Sequence, residues 1–209
     1  AHFHTRRVDG HPGLTYTVVM DQEELRLRKG GAVTVPVAGT AATYVDTFRR
    51  RYDPHVDLIM PHITLEFAAE LDACDWMPAR SRIQAALADV PPFDAQVRVV
   101  DAFPDNLVLW LRPDDPDGQF VKLRNCIMDT FPGVEFDHAG NFVAHISIGF
   151  FETPAELEAA RTFVAQELVP FTFHVSYLSF LQADEGNVWR CVDTVELGTG
   201  TAHACHAQD

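Results

Sequence analysis

Pro61-His62-Ile63-Thr64-Leu65 and Ala144-His145-Ile146-Ser147-Ile148 are two stretches of one 209-residue chain that read alike: histidine, apolar residue, hydroxyl residue, apolar residue. Each lies in an apolar, β-branched run, Asp57–Phe67 and Phe142–Phe151, whose composition predicts a strand. Successive side chains in a strand point to opposite faces, so His62 and Thr64 share one face while Ile63, Leu65 and Phe67 share the other. His145 and Ser147 likewise share a face opposite Ile146 and Ile148. Each strand then offers one side to a core and a second side carrying imidazole and hydroxyl. One copy falls in each half of the chain, which points to a weak internal duplication and two similar lobes.

The surrounding pattern fills in those lobes. Leu14–Met20 predicts a buried strand, and residues 21–39 an irregular connection with a short strand in it. Thr40–Tyr52 predicts a helix capped by Thr40 and closed by Pro54. Pro78–Val90 predicts a second helix, stopped by Pro91-Pro92. Phe93–Phe103 and Asn106–Arg112 predict a hairpin, and Gln119–Phe131 a helix ended by Pro132-Gly133. Thr153–Leu168 carries a capping box, with Thr153 as cap, Pro154 in first position and Glu156 three residues on. Phe171–Leu181 and Val188–Leu197 predict a last hairpin around Ala183–Asn187. Helices interleaved with hairpins exclude a purely parallel sheet, so the fold class is α+β. The expected organisation is a flexible arm over residues 1–13, one two-lobed domain over 14–198, and a flexible tail over 199–209.

Composition narrows the function. The chain has 16 Lys plus Arg against 30 Asp plus Glu, a formal net charge of −14, and 47% hydrophobic residues. A general nucleic-acid coat needs a basic footprint, so no long nucleic-acid partner is expected, though a local site for one phosphate is compatible. No run approaches the ~18 apolar residues of a membrane span, and the first residues hold no signal-type apolar core. Four cysteines without a C-x-x-C pattern suit a reducing compartment, and the expected location is the cytoplasm. The tail His203-Ala204-Cys205-His206 offers three metal ligands on a segment without predicted structure, so no metal site is expected. P-loop, serine-hydrolase and zincin motifs are absent from the sequence. Arg49-Arg50-Arg51 reads as a solvated helix end, and His55 and His138 as loop residues. Trp76, Trp110 and Trp189 read as packing residues, as do Cys74, Cys126 and Cys191.

Two imidazoles can divide a proton-transfer task near neutral pH, one as base and one as acid. Residues i and i+2 of a strand stand roughly 6.5–7 Å apart, which suits histidine and hydroxyl closing on different oxygens of one phosphate. Thr64 and Ser147 can donate to non-bridging oxygens where charge builds. A strained cyclic phosphodiester needs no metal for such chemistry.

The paired segments resemble the two H-x-[ST]-x signatures of the 2H phosphoesterase superfamily, which includes the 2′-5′ RNA ligases and 2′,3′-cyclic phosphodiesterases. The resemblance implies a two-lobed, pseudo-symmetric α+β fold, antiparallel-rich sheets flanked by helices around a central cleft. It implies His62 and His145 as the catalytic pair, Thr64 and Ser147 as phosphate-binding hydroxyls, and no cofactor or metal. Phe150, five residues after His145, is a candidate substrate-lining residue by the same resemblance. Strand alternation places it on the wrong face unless Gly149 introduces a bulge. Tyr16 is a second candidate, able to stack on a base. The implied activity is metal-independent hydrolysis of a cyclic phosphodiester, such as a 2′,3′-cyclic phosphate on a nucleotide or short RNA end, by a monomer. The alternatives are action on ADP-ribose cyclic phosphate, 2′,5′-linked oligonucleotides or 2′-5′ RNA ligation, and a non-catalytic binder of phosphorylated ends or nucleotides.

Overall fold

The computed structural model describes residues 30–68, 73–131 and 142–198. Leu14–Met20, Tyr16, the arm, the tail and His138 lie outside them. In chain order the elements are β1 (Gly31–Pro36), α1 (Gly39–Tyr52), β2 (His62–Ala68), α2 (Ala73–Leu87), β3 (Phe93–Phe103), β4 (Val108–Pro113), α3 (Gln119–Met128), β5 (Ile146–Phe150), α4 (Pro154–Glu167), β6 (Phe171–Val175), β7 (Tyr177–Ala183) and β8 (Trp189–Glu196). The strands form two four-stranded sheets, ordered β2-β1-β7-β8 and β5-β4-β3-β6. Their ladders are antiparallel throughout. This is the expected α+β architecture.

The two similar segments end up in matching places, since β2 is an edge of the first sheet and β5 an edge of the second. One apolar core serves both sheets: Val33, Val35 and Ile63 from the first join Leu109, Leu111, Ile146 and Ile148 from the second. Helices tie the halves together. α1, from the first half, lies on β5 and β6, while α3, from the second, lies on β2. α1 comes close to β5 because position 149 is glycine, where a Cβ would sit 2.7 Å from the Tyr52 Cβ. Trp76 on α2 stacks on Phe180 of β7 at 4.7 Å, and its indole N–H donates to Asp193 at 2.8 Å.

Several boundaries differ from expectation. The predicted strand Phe171–Leu181 breaks at Ser176, where the chain leaves the second sheet for the first: β6 pairs with β3, and β7 with β1 and β8. α1 starts at Gly39, and its cap residue is Ala38 with no side-chain cap bond, so Thr40 sits inside the helix. α2 begins before Pro78 and takes the proline into its early turns. Residues 54–59 form turns, which delays the first motif strand to His62. The capping box of α4 forms as read, with Glu156 N–H donating to Thr153 Oγ1 at 3.3 Å and Thr153 N–H donating to Glu156 Oε2 at 3.1 Å.

Candidate active site

β2 and β5 lie against each other, so the two motifs converge from separate sheets. Their histidines are held in the same way. His62 donates from Nδ1 to the Met60 carbonyl at 2.7 Å, and His145 donates from Nδ1 to the Val143 carbonyl at 2.8 Å. In each case the acceptor is the carbonyl two residues earlier. That bond assigns the proton to Nδ1, so the neutral ring presents its lone pair at Nε2. On the His62 side this lone pair accepts from the Thr64 hydroxyl at 3.1 Å. Thr64 and Ser147 are both half-buried beside their histidines.

The two rings have different surroundings. Burial pushes the His62 imidazole down to about 4; the Arg49 guanidinium and the His145 ring add to this, against the Met60 carbonyl and the Asp53 carboxylate. His145 therefore stands close enough to act on the charge of His62. Its own ring lies 5.1 Å from Phe103 and 5.9 Å from Trp110, edge against face, and those two aromatics stack on each other at 4.9 Å.

A bulge follows each motif. On β2, Thr34 is opposite Thr64 but Val33 is opposite Glu66, leaving Leu65 as the extra residue. On β5, Trp110 is opposite Ser147 but Leu109 is opposite Gly149, leaving Ile148 as the extra residue. Such an insertion reverses the faces beyond it. Phe150 thereby comes round to the face of His145 and Ser147, through a bulge one residue earlier than the glycine suggested. Its ring meets His55 at 5.1 Å. On β2 the expected alternation fails in the same way: Phe67 joins the face of His62 and Thr64 and rests on Trp189, while Glu66 turns into the interior.

The basic residues read as solvated are engaged in structure. Arg49 is 2% exposed; it bonds Asp53 at 2.8 Å and Asp46 at 2.9 Å, and reaches the Ile59 carbonyl at 2.7 Å. It thus fastens the segment that delivers His62. Burial opposes the charge of Asp53, but His55 and Arg49 together hold its carboxyl below the ordinary range. The signal was present in the sequence, since Asp46 and Asp53 lie three residues before and four residues after Arg49 on one helix face. Arg51 covers the Phe163 ring at 4.1 Å, and Arg50 pairs with Asp57 at 3.5 Å. Arg124 is likewise buried and paired with Glu66. Cys191 is disulfide-bonded, where a packing thiol was expected. Among the described residues no group of three or more His, Cys, Asp or Glu could hold a metal ion, and no helix is long and apolar enough to cross a membrane.

Comparison with known proteins gives this arrangement a context. Residues 36–187 match the family model of the 2′-5′ RNA ligase superfamily. A Geobacillus thermodenitrificans protein named "Putative phosphoesterase" is 27% identical over 157 residues, covering 74% of this chain and 88% of its own. E. coli LigT crystallised with 3′-AMP superposes at a TM-score of 0.56 and 13% identity, over 81% of this chain and 98% of its own. TT0787 of Thermus thermophilus superposes at 0.57 and 16% identity, over 81% and 98%.

Proposed function

This chain belongs to the 2′-5′ RNA ligase superfamily, and from that premise we propose that it is a two-histidine phosphodiesterase that opens cyclic phosphates on nucleotides or short RNA ends. The observation that carries the reading is the matched pair of imidazoles, each fixed through Nδ1 to a carbonyl and each followed by a hydroxyl residue. A relative of similar length bears a phosphoesterase name, and LigT, of like fold, has been crystallised with 3′-AMP.

The different environments divide the roles. His62, kept neutral by burial and by Arg49, is the base. Its Nε2 takes a proton from water as the water oxygen bonds to phosphorus. His145, whose ring packs against Phe103 and Trp110, takes the acid role. It returns a proton to the ribose oxygen as the P–O bond breaks. The Thr64 hydroxyl, which occupies the His62 lone pair in the free protein, swings to a phosphoryl oxygen and releases Nε2 for the base role. Ser147 donates from the other side.

The charge distribution favours a small substrate. Among the described residues the arginines Arg50, Arg98, Arg112, Arg161 and Arg190 pair with carboxylates, and the chain carries a net −14. Little positive charge remains there to follow a phosphodiester backbone. A monomer remains the expectation, whereas the disulfide at Cys191 runs against the reducing compartment from which a cytoplasmic location was expected.

The test is turnover of 2′,3′-cyclic AMP, and of a short RNA ending in a cyclic phosphate, in the presence of EDTA. We expect both to be opened to phosphomonoesters, with His62→Asn and His145→Asn each lowering kcat by about 10²–10⁴-fold. Tight binding of both without product over hours would leave a nucleotide binder in place of an enzyme.

A further inference from the structure

We propose that Arg124 is a positioning residue for the reaction: it holds Glu66 behind the first motif and Phe142 ahead of the second, and so sets the separation of the two imidazoles. This rests on the two-histidine reading of the site.

The reasoning starts from topology. β2 and β5 are edges of different sheets, and no ladder joins them. Backbone pairing therefore does not fix how far His62 stands from His145; side chains reaching both segments must. The bulge at Leu65 turns Glu66 into the core opposite Val33, where it is 0% exposed. A carboxylate in that position is costly unless a cation meets it. Arg124, 7% exposed on α3, supplies its Nε to Glu66 Oε1. The same guanidinium lies 5.4 Å from the centre of the Phe142 ring. Phe142 adjoins Val143, whose carbonyl holds His145 Nδ1. One planar cation thus touches the first strand four residues beyond His62 and the second segment three residues before His145.

A buried ion pair of this kind commonly adds no stability over an apolar pair of similar volume. What it adds is direction. A guanidinium fixes both the distance and the angle of its carboxylate, whereas two methionines would fill the space and leave them loose. Catalytic groups held for proton transfer tolerate about 0.5 Å of error, and 1 Å can cost ~10²-fold in rate.

The experiment compares the wild type with the double variant Glu66→Met/Arg124→Met and with Phe142→Leu, which removes the aromatic arm and leaves the ion pair. For 2′,3′-cyclic AMP we expect kcat to fall about 10–100-fold in the double variant and several-fold in Phe142→Leu, with KM within about threefold. Both should melt within a few degrees of the wild type. In a His145→Asn background the double variant should cost no further activity, because the positioning then has nothing to act on. A folded double variant with kcat within about twofold of wild type overturns the proposal. Should the double variant not fold, unchanged kcat in Phe142→Leu does the same.

A second readout needs no turnover. Replacing His145 by Asn should shift the His62 ring titration, followed by NMR, in the wild type; in the double variant that shift should shrink. An equal shift in both overturns the proposal. A wild type inactive on cyclic phosphates would count against the functional reading alone, with the titration still deciding the role of Arg124.

Discussion

Acidification should destabilise this protein through His62 before its carboxylates respond. The native ring titrates at about 4, whereas an unfolded histidine titrates near 6.5. Between these values the unfolded chain binds a proton that the native state refuses, so stability falls as pH falls through the window. Going from about pH 7.5 to about pH 4.5, linkage with these two values gives about 2.5 kcal/mol lost at this residue. The ring is only half-buried, so solvent screening reduces this to about 2 kcal/mol. Asp53 and Asp184 are carboxylates held low in the native state. Their stabilisation is lost only as pH drops below the ordinary carboxylate range, beneath this window.

The assay is urea unfolding of the wild type and of His62→Asn at both pH values. Histidines remote from the site contribute equally to both proteins and cancel in the difference, and a His145→Asn background removes the one that is coupled to His62. The wild type should lose about 2 kcal/mol more than the variant on acidification. The same neutral ring is the proposed base, so the acid limb of kcat/KM should fall near the same value of about 4. Parallel losses in the two proteins, within about 0.5 kcal/mol, would mean that His62 is not held neutral, and the base role would go with it.

Three further outcomes follow from packing. Gly149→Ala places a Cβ 2.7 Å from the Tyr52 Cβ and 3.0 Å from the Phe151 ring; overpacking of about 1–3 kcal/mol should lower Tm by about 3–10 °C, and an unchanged melt would show that α1 yields. Arg49→Met leaves the Asp53 carboxylate buried without its cation, so urea unfolding should report about 3–5 kcal/mol of destabilisation, partly recovered by adding Asp53→Asn. Thr153→Ala removes the capping bonds of α4, which involve neither histidine, and should cost about 1 kcal/mol of stability while kcat stays at the wild-type value.

The parts of this fold legible in the sequence are those decided within a few residues. Phe93–Phe103 forms β3 at its predicted ends, and Thr153 caps α4 through Glu156, because strand composition and cap chemistry are local. The His62/Thr64 and His145/Ser147 pairs were legible for the same reason: alternation over three residues needs no knowledge of the neighbouring strand. What lay beyond reach depends on partners distant in the chain. Nothing local in FTFHVSYLSF marks Ser176 as the point where one run changes sheets. The burial of Arg49 was concealed because a basic run at a helix end usually faces water, yet here its side chain turns back to bond the loop carbonyl of Ile59. The positions of both bulges follow from β1 and β4, so alternation carried past Thr64 and Ser147 assigns Glu66, Phe67 and Phe150 to the wrong faces.

Those bulges explain more than a misplaced face. The segments His62-Ile63-Thr64-Leu65-Glu66-Phe67 and His145-Ile146-Ser147-Ile148-Gly149-Phe150 each insert the residue after the hydroxyl, and each thereby returns a phenylalanine to the histidine's side. Repetition of the device at both edges is what a duplicated half would leave. The inward-turned residue differs between the copies, and the difference fits the helix behind it. Behind β2, Glu66 meets a cation from α3; behind β5, Gly149 lets α1 press its Tyr52 against the strand. Among the described residues each edge strand has no ladder partner on its outer side, and another anchor holds its register. One copy is anchored by charge and the other by close approach. Breaking either anchor should therefore disturb the histidine four residues before it, while leaving the sheet that carries it paired.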